Sequence, residues 1–154
     1  MELRTFQRLS RVADLERDGV LTGDWSRVPE YVREPYRAMV AEMERAGIHT
    51  AGRPPVWAWR GPLQLLDASM LFDPEYELST GYATIRFDAP PELAVVSDYG
   101  RWNDFLADGG PWSPGPVRGG LVQVCVPYLS LEWVRQVDPL PVSGWDEMDL
   151  SKPV

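Results

Sequence analysis

The sequence predicts an α+β fold, with small mixed or antiparallel sheets and two main helices. Short segments in which apolar and polar residues alternate with a period of two predict strands, and two longer segments with apolar residues at helical spacing predict the helices. The 154 residues suffice for one domain with its own core, and no repeat or interdomain linker divides them.

The N-terminal third predicts a strand followed by two helices. Residues 3–7 read as a short edge strand, and Ser10 is expected to cap a helix that ends at Gly19. The second helix carries an apolar stripe at helical spacing. We expect it to hold Pro35 in its first turn and to stop at Gly47.

Most of the remaining strands are predicted in the middle of the chain. Trp57 and Trp59 stand two residues apart and therefore project from one face of a strand, where they form a flat aromatic wall. Ser97 and Asp98 offer caps for a short helix that follows. The predicted strands are 56–60, 82–88, 93–96 and 121–126.

The last part of the chain is expected to be less regular. Residues 108–120 are rich in Gly and Pro, which predicts a surface loop, and long loops in small domains often carry function. Ser130 opens a last amphipathic segment. We therefore predict a single globular domain over residues 1–137 and a peripheral tail, rich in Pro and acidic residues, over 138–154.

Composition excludes several classes of protein. The chain has 15 Lys and Arg against 23 Asp and Glu, a formal charge of −8, which argues against a nucleic-acid or membrane-surface partner. A single cysteine (Cys125) and a single histidine (His49) exclude an internal disulfide and a multi-histidine zinc site, so no metal is expected. The first residues lack the apolar region of a signal peptide, so we expect a cytoplasmic protein.

The most informative polar residue is Gln123. The alternation in its strand sends the flanking valines to one face and Gln123 to the other. A buried amide without partners costs about 1–3 kcal/mol, so this side chain either ties down a neighbouring segment or points into a cleft. We expect a cleft shared with Thr5 and Gln7 of the first strand.

Several elements stand in a fixed order along residues 1–137. They are Leu3–Gln7 with its helix to Gly19, Trp57-Ala58-Trp59, Leu93 with Ser97-Asp98 and Trp102, and Val122-Gln123-Val124 before Leu131–Val134. In this order they resemble a bacterial family catalogued as domain of unknown function 3841. The name of that family carries no activity.

A second resemblance implies a function. A first strand, a helix closing on Gly19 and a late strand running through Pro127 into an apolar segment look like compact ADP-ribosyltransferase domains. Those families place His or Arg on the first strand, where this chain has Thr5, and a catalytic Glu on the late strand, where it has Gln123. The resemblance implies an ADP-ribosyltransferase-like architecture, Gln123 and Thr5 at the catalytic positions, and NAD as the substrate.

The leading hypothesis is a domain that binds a nucleotide-like small molecule. A glutamine amide is not a base near neutral pH, so glycosidic cleavage or transfer would have to rely on positioning. Gln7 would add a polar contact. Trp57 or Trp59 would stack on a ring, and Arg60 or Arg118 would meet an anionic group. The alternative is a non-catalytic protein-interaction or regulatory module, which the acidic charge and the many tryptophans would also suit.

Overall fold

A six-stranded antiparallel sheet organises the computed structural model, which describes residues 1–117 and 119–154. The strands are β1 (Glu2–Arg8), β2 (Val20–Thr22), β3 (Val56–Arg60), β4 (Tyr82–Asp88), β5 (Val95–Asp98), β6 (Val122–Val126), β7 (Tyr128–Ser130) and β8 (Val134–Pro139). Their order across the large sheet is β5-β6-β3-β1-β4-β8, and β2 and β7 form a separate antiparallel pair.

Four α-helices accompany these strands in the described part of the chain. They are α1 (Leu9–Asp18), α2 (Glu30–Arg45), α3 (Leu65–Leu71) and α4 (Tyr99–Asp108). The predicted α+β class is therefore confirmed, and of the mixed or antiparallel sheets expected, the structure has antiparallel ones. The expectation that residues 3–7 form an edge strand is wrong, because β1 lies inside the sheet and pairs with both β3 and β4. None of the helices within residues 1–117 and 119–154 is long and apolar enough to cross a bilayer.

The helix ends show which local signals decided the structure. Gly19 ends α1 in a left-handed conformation (φ 74°) that favours glycine, as predicted, and Asp98 caps α4 by accepting from the Arg101 N–H at 3.1 Å. The predicted Ser10 cap is wrong. The helix begins two residues earlier, at Leu9 with Arg8 in the cap position, and the Leu9 N–H donates to the carbonyl of residue 81.

The start of α2 also differs from the prediction. This helix begins at Glu30, so Pro35 lies inside it rather than in its first turn. The Val32 N–H donates to the Pro29 carbonyl at 3.1 Å, so the first turn of the helix lies before Pro35. The helix still stops where expected, with Gly47 just beyond it at φ 82°.

The large sheet is covered on both faces. The first face carries buried aliphatic residues such as Leu3, Ala58 and Ile85, which belong to one core with residues of α1 and of the β2–β7 pair. The second face carries Trp57 and Trp59, confirming that they share a face. Part of this face packs against α2 and α4, and part packs against α3 and the C-terminal segment.

The C-terminal segment is part of this second face. The amphipathic segment after Ser130 forms a short 3-10 turn and then β8, because pairing with β4, for example Ile85 with Val137, supplies its backbone hydrogen bonds. Within the segment predicted as a peripheral tail, Leu140 and Trp145 are buried in the core. Residues after 138 therefore contribute to folding.

Candidate ligand-binding cleft

Two neighbouring strands, β1 and β3, separate partway along their length. They share one register pair, Arg4 with Trp59. Further along, the Thr5 hydroxyl donates to the Trp57 carbonyl at 2.7 Å, and the Gln7 amide donates to the Thr5 hydroxyl at 3.0 Å. Because β1 remains paired with β4 over its whole length, the separation opens a gap on the β3 side.

This gap leads into a cleft of about 450 Å³. Its floor is formed by Trp57, Trp59 and Gln123 from β3 and β6. Residues of α2 and α4 line one wall, and the end of β1 together with the segment after β2 lines the other. A volume of this size falls in the range of about 300–1,000 Å³ that small-molecule sites occupy.

Aromatic rings fix the two floor tryptophans in place. The Trp57 ring lies 5.0 Å from the Tyr36 ring and 4.8 Å from the Trp102 ring, centroid to centroid. The Trp59 ring lies 5.9 Å from Phe6, across the gap on β1. These spacings are those of favourable ring pairs, so the floor is largely preformed.

Both floor tryptophans have an indole N–H without a hydrogen-bond partner among the described residues. The Nε1 atoms of Trp57 and Trp59 are inaccessible to solvent and unbonded, and Trp59 as a whole is 6% exposed. Burial raises the pKa of the neighbouring Tyr36 to about 12. The Trp57 N–H lies near the Tyr36 hydroxyl and opposes this rise, but its geometry falls short of a hydrogen bond. Buried donors are nearly always satisfied, so these two N–H groups, like that of Trp112 outside the cleft, are exceptions that a bound acceptor would explain.

The mouth of the cleft carries more positive than negative side chains. Arg8, Arg11 and Arg27 line it, against one carboxylate, Asp24. Arg11 is already paired with a carboxylate of its own helix. Arg8 lies over the Tyr82 ring at 5.4 Å, and neither Arg8 nor Arg27 forms an ion pair with any described residue. In a chain of charge −8, this is a local surplus of guanidinium groups.

The loop that brings Asp24 to the mouth is held by a close backbone approach. A Cβ atom on Gly23 would lie 2.0 Å from the Pro54 carbonyl oxygen, so only glycine fits there. Asp24 then accepts from the backbone N–H and the hydroxyl of Ser26, at 2.9 and 2.8 Å. These hydrogen bonds lower the pKa of the Asp24 carboxyl, so it is ionised at neutral pH.

The structure brings together four of the seven residues predicted from the sequence. Thr5 lies behind the cleft and holds the Trp57 carbonyl. Arg60 is exposed at the far end of β3 and does not line the cleft, and Arg118 lies outside the described residues. The four that line it are Gln7, Trp57, Trp59 and Gln123.

Gln123 is more enclosed than predicted. It is 1% exposed, stands between Trp59 and Ser97 in the sheet register, and donates from Nε2 to the Ser97 hydroxyl at 3.0 Å. The expectation that Gln123 shares open space with Thr5 is wrong. Trp59 pairs with Gln123 on β6 and with Arg4 on β1, so these three side chains lie on one face of the sheet. Thr5 follows Arg4 and therefore points to the other face.

Sequence reasoning missed the residues at the mouth of the cleft. Arg8 and Arg27 carried no signal of their own, because 14 of the 15 basic residues are arginine and residue type alone distinguishes none of them. The Gly/Pro-rich segment, for which the sequence predicts a surface loop, does not line the cleft through any described residue. Its Trp112 stacks on Phe105 of α4 at 5.3 Å and so packs behind the wall that α4 contributes.

Comparison of the chain with family models, with curated proteins and with solved structures gave no match. The resemblances to domain of unknown function 3841 and to the ADP-ribosyltransferases therefore stay predictions. The function has to be argued from the cleft.

Proposed function

We propose that this domain binds a nucleotide-like small molecule in the cleft between β1 and β3, in an ADP-ribosyltransferase-like arrangement, with NAD as the first ligand to test. One observation carries the proposal. The indole N–H groups of Trp57 and Trp59 are buried without partners in the floor of a cleft whose mouth holds unpaired arginines. A nucleotide supplies what such a cleft lacks, namely an aromatic ring with acceptor atoms and a phosphate.

The aromatic floor suits a flat heterocycle. Tyr36, Trp57 and Trp102 form one group of rings, and Phe6 with Trp59 forms a second group across the gap. A base stacked on these rings gains about 1–3 kcal/mol. A ligand reaches the indole N–H groups only if the two rings turn towards the cleft. Its ring nitrogens or carbonyl oxygens would then accept from them, which removes the cost of leaving those donors unsatisfied.

The arginines suit the phosphates. Arg8 and Arg27 stand at the mouth, outside the aromatic floor, so a ligand with its ring inside would present its phosphates to them. A guanidinium grips a phosphate with two parallel hydrogen bonds. These two residues take the role that the sequence assigned to Arg60 and Arg118.

The side chains around the cleft support binding better than acid–base chemistry. Gln123 has no basic nitrogen, and its amide is tied to Ser97. Of the side chains that line the cleft, Asp24 alone is a carboxylate, and its lowered pKa makes it a weak base. If the glycosidic bond of NAD is cleaved here, Asp24 is the group able to stabilise the positive charge that develops on the ribose.

The binding proposal is tested by calorimetric titration with NAD, AMP and adenosine. We expect saturable binding of NAD and AMP that weakens about tenfold in Arg8→Gln and in Arg27→Gln, since each removes a charge-assisted hydrogen bond. Adenosine, which lacks phosphate, should be insensitive to both changes. Arg60→Gln, an exposed arginine outside the cleft, is the matched control. Absence of binding by all three compounds, or an equal loss in Arg60→Gln, would contradict the proposal.

A separate assay tests whether bond cleavage follows binding. Release of nicotinamide from NAD is measured with the wild type and with Asp24→Asn, which keeps an acceptor for the Ser26 N–H. If the domain cleaves NAD, Asp24→Asn should lose turnover, because it removes the negative charge that stabilises the developing positive charge on the ribose. Its affinity for NAD should stay within about twofold of wild type. If neither protein releases nicotinamide, the proposal reduces to binding alone.

A further inference from the structure

A second concave region lies on the same face of the sheet, at the β1-β4-β8 end. This groove of about 630 Å³ shares no lining residue with the cleft. Three cationic residues line it, Arg4 and Arg86 from the sheet and Lys152 from the C-terminal segment, against one carboxylate side chain, Asp138. In a chain of net charge −8, the groove is therefore a second region with a local excess of positive side chains.

The two sheet arginines lie directly opposite each other. Arg4 and Arg86 are register partners in the β1–β4 ladder, an arrangement in which like charges destabilise a sheet. Arg4 is partly neutralised, because it pairs with Glu2 at 3.1 Å and donates to the carbonyl of residue 61 at 3.0 Å. Arg86 forms no ion pair with any residue in the described part of the chain, and its Nε is buried and unbonded.

A buried hydroxyl stands beside Arg86. Thr84 is 2% exposed, lies two residues before Arg86 on the same face, and its Oγ1 has no hydrogen-bond partner. Asp138 is the register partner of Thr84 on β8, but its carboxylate accepts from the Gln136 amide at 2.9 Å. Two donors, one hydroxyl and one guanidinium N–H, are therefore left unsatisfied in one groove.

We propose that this groove is a second ligand site, which binds a phosphate group. A phosphate has several oxygens that accept from different directions, so it can meet Arg86 and Thr84 from the sheet and Lys152 from the opposite side together. It would also reduce the repulsion between the like charges of Arg4 and Arg86, which are register partners. The ligand is either inorganic phosphate or the phosphate of a small ester, and the chemistry of recognition is the same for both.

The experiment is a titration with inorganic phosphate, followed by ¹H–¹⁵N NMR at constant ionic strength with chloride as the reference. We expect the Arg86 Nε–H and Thr84 amide signals to shift saturably with phosphate and not with chloride. Arg86→Gln should abolish the shift of the Thr84 signal. Thr84→Val keeps the shape of the side chain and removes only the hydroxyl, so it should weaken binding about tenfold. Arg8→Gln, at the mouth of the cleft, should leave the groove signals unchanged, which separates this site from the proposed nucleotide site.

The same titration is repeated with glycerol phosphate. Tighter binding of the ester would identify a phosphate ester as the ligand, and tighter binding of inorganic phosphate would identify the free ion. The proposal is overturned if phosphate moves the groove signals no more than chloride does. It is also overturned if Thr84→Val, which should fold because it removes no hydrogen bond, binds phosphate as tightly as wild type.

Discussion

The cleft and the groove occupy the two halves of one sheet face and are built in opposite ways. In the cleft, aromatic rings pack on each other and the threonine behind them, Thr5, is bonded to the Trp57 carbonyl. In the groove, cations line a sheet surface on which Thr84 has no partner. The two threonines are equally buried, at 1% and 2% exposure. Burial alone therefore says little about what a polar side chain contributes to stability. That contribution depends on its hydrogen-bond partners.

The largest difference between the two regions should be in stability. Trp102 is 4% exposed and packs on Trp57, so Trp102→Ala should lower the free energy of unfolding by about 3–5 kcal/mol. Arg86→Gln in the groove should change it by less than about 1 kcal/mol, because no ion pair or hydrogen bond of this side chain is lost. Urea denaturation of both variants measures this. Losses of equal size would show that the aromatic region does not hold the fold more firmly than the charged one.

The next effect concerns the pH dependence of stability and involves Tyr36, which lines the cleft. The pKa of Tyr36 is raised by burial to about 12, whereas an unfolded tyrosine has a pKa near 10. The folded state therefore keeps a proton that the unfolded chain releases. The stabilisation is complete below about pH 10 and is lost as the pH rises towards about 12, an effect of about 2–3 kcal/mol.

Tyr36→Phe should accordingly show a shallower fall in the free energy of unfolding over this alkaline range than wild type. Tyr31→Phe, at a tyrosine of the same helix that is 84% exposed, should keep the wild-type slope. Chemical denaturation at a series of pH values gives the three curves. Parallel curves for wild type and Tyr36→Phe would contradict the assigned burial of this hydroxyl.

A matched pair of threonine variants sharpens the comparison further. Thr5→Val removes a hydroxyl that donates to Trp57 and accepts from Gln7, so it should cost about 1–3 kcal/mol of stability. Thr84→Val removes an unbonded hydroxyl and should leave stability unchanged or raise it by up to about 1 kcal/mol. Thermal and urea unfolding of the pair test this, and a Thr84→Val loss as large as that of Thr5→Val would mean that the groove hydroxyl is bonded.

The smallest predicted effect is electrostatic. Because Arg4 and Arg86 face each other across two strands, Arg86→Gln should stabilise the protein by about 0.2–1 kcal/mol at low salt in phosphate-free buffer. Salt screens this repulsion, so the gain should vanish near about 1 M sodium chloride. The exposed Arg60→Gln serves as the control. A gain in the free energy of unfolding that is independent of salt would contradict repulsion between the two arginines as its cause.

The sequence predicted those features of the fold that depend on neighbouring residues. Alternation predicted β3, β4 and β6 and the shared face of Trp57 and Trp59, and Gly19 and Asp98 marked helix ends because their roles are local. Strand β8 could not be predicted in this way. Its residues are mostly exposed, so its pattern lacks the alternation of a half-buried strand, and pairing with β4 determines its structure.

The candidate site was predictable in part for the same reason. Gln123 and the two floor tryptophans follow from strand geometry, which a sequence displays. The cleft lies where the register of β1 and β3 ends and a Thr5 side chain bonds a carbonyl 52 residues away, and no local pattern reports that contact. Arg8 reaches the mouth from the end of β1 and Arg27 from the segment after β2, so their positions depend on the tertiary structure and the sequence favoured other arginines.

The most direct test of the account follows the indole N–H signals of a ¹⁵N-labelled protein during titration with NAD. We predict that the Trp57 and Trp59 signals shift saturably. Trp25 and Trp145 already donate to carbonyls, at 2.7 and 3.1 Å, so their signals should stay in place and serve as internal references. If the Trp57 and Trp59 signals do not move at NAD concentrations that saturate known nucleotide sites, the cleft is not a nucleotide site.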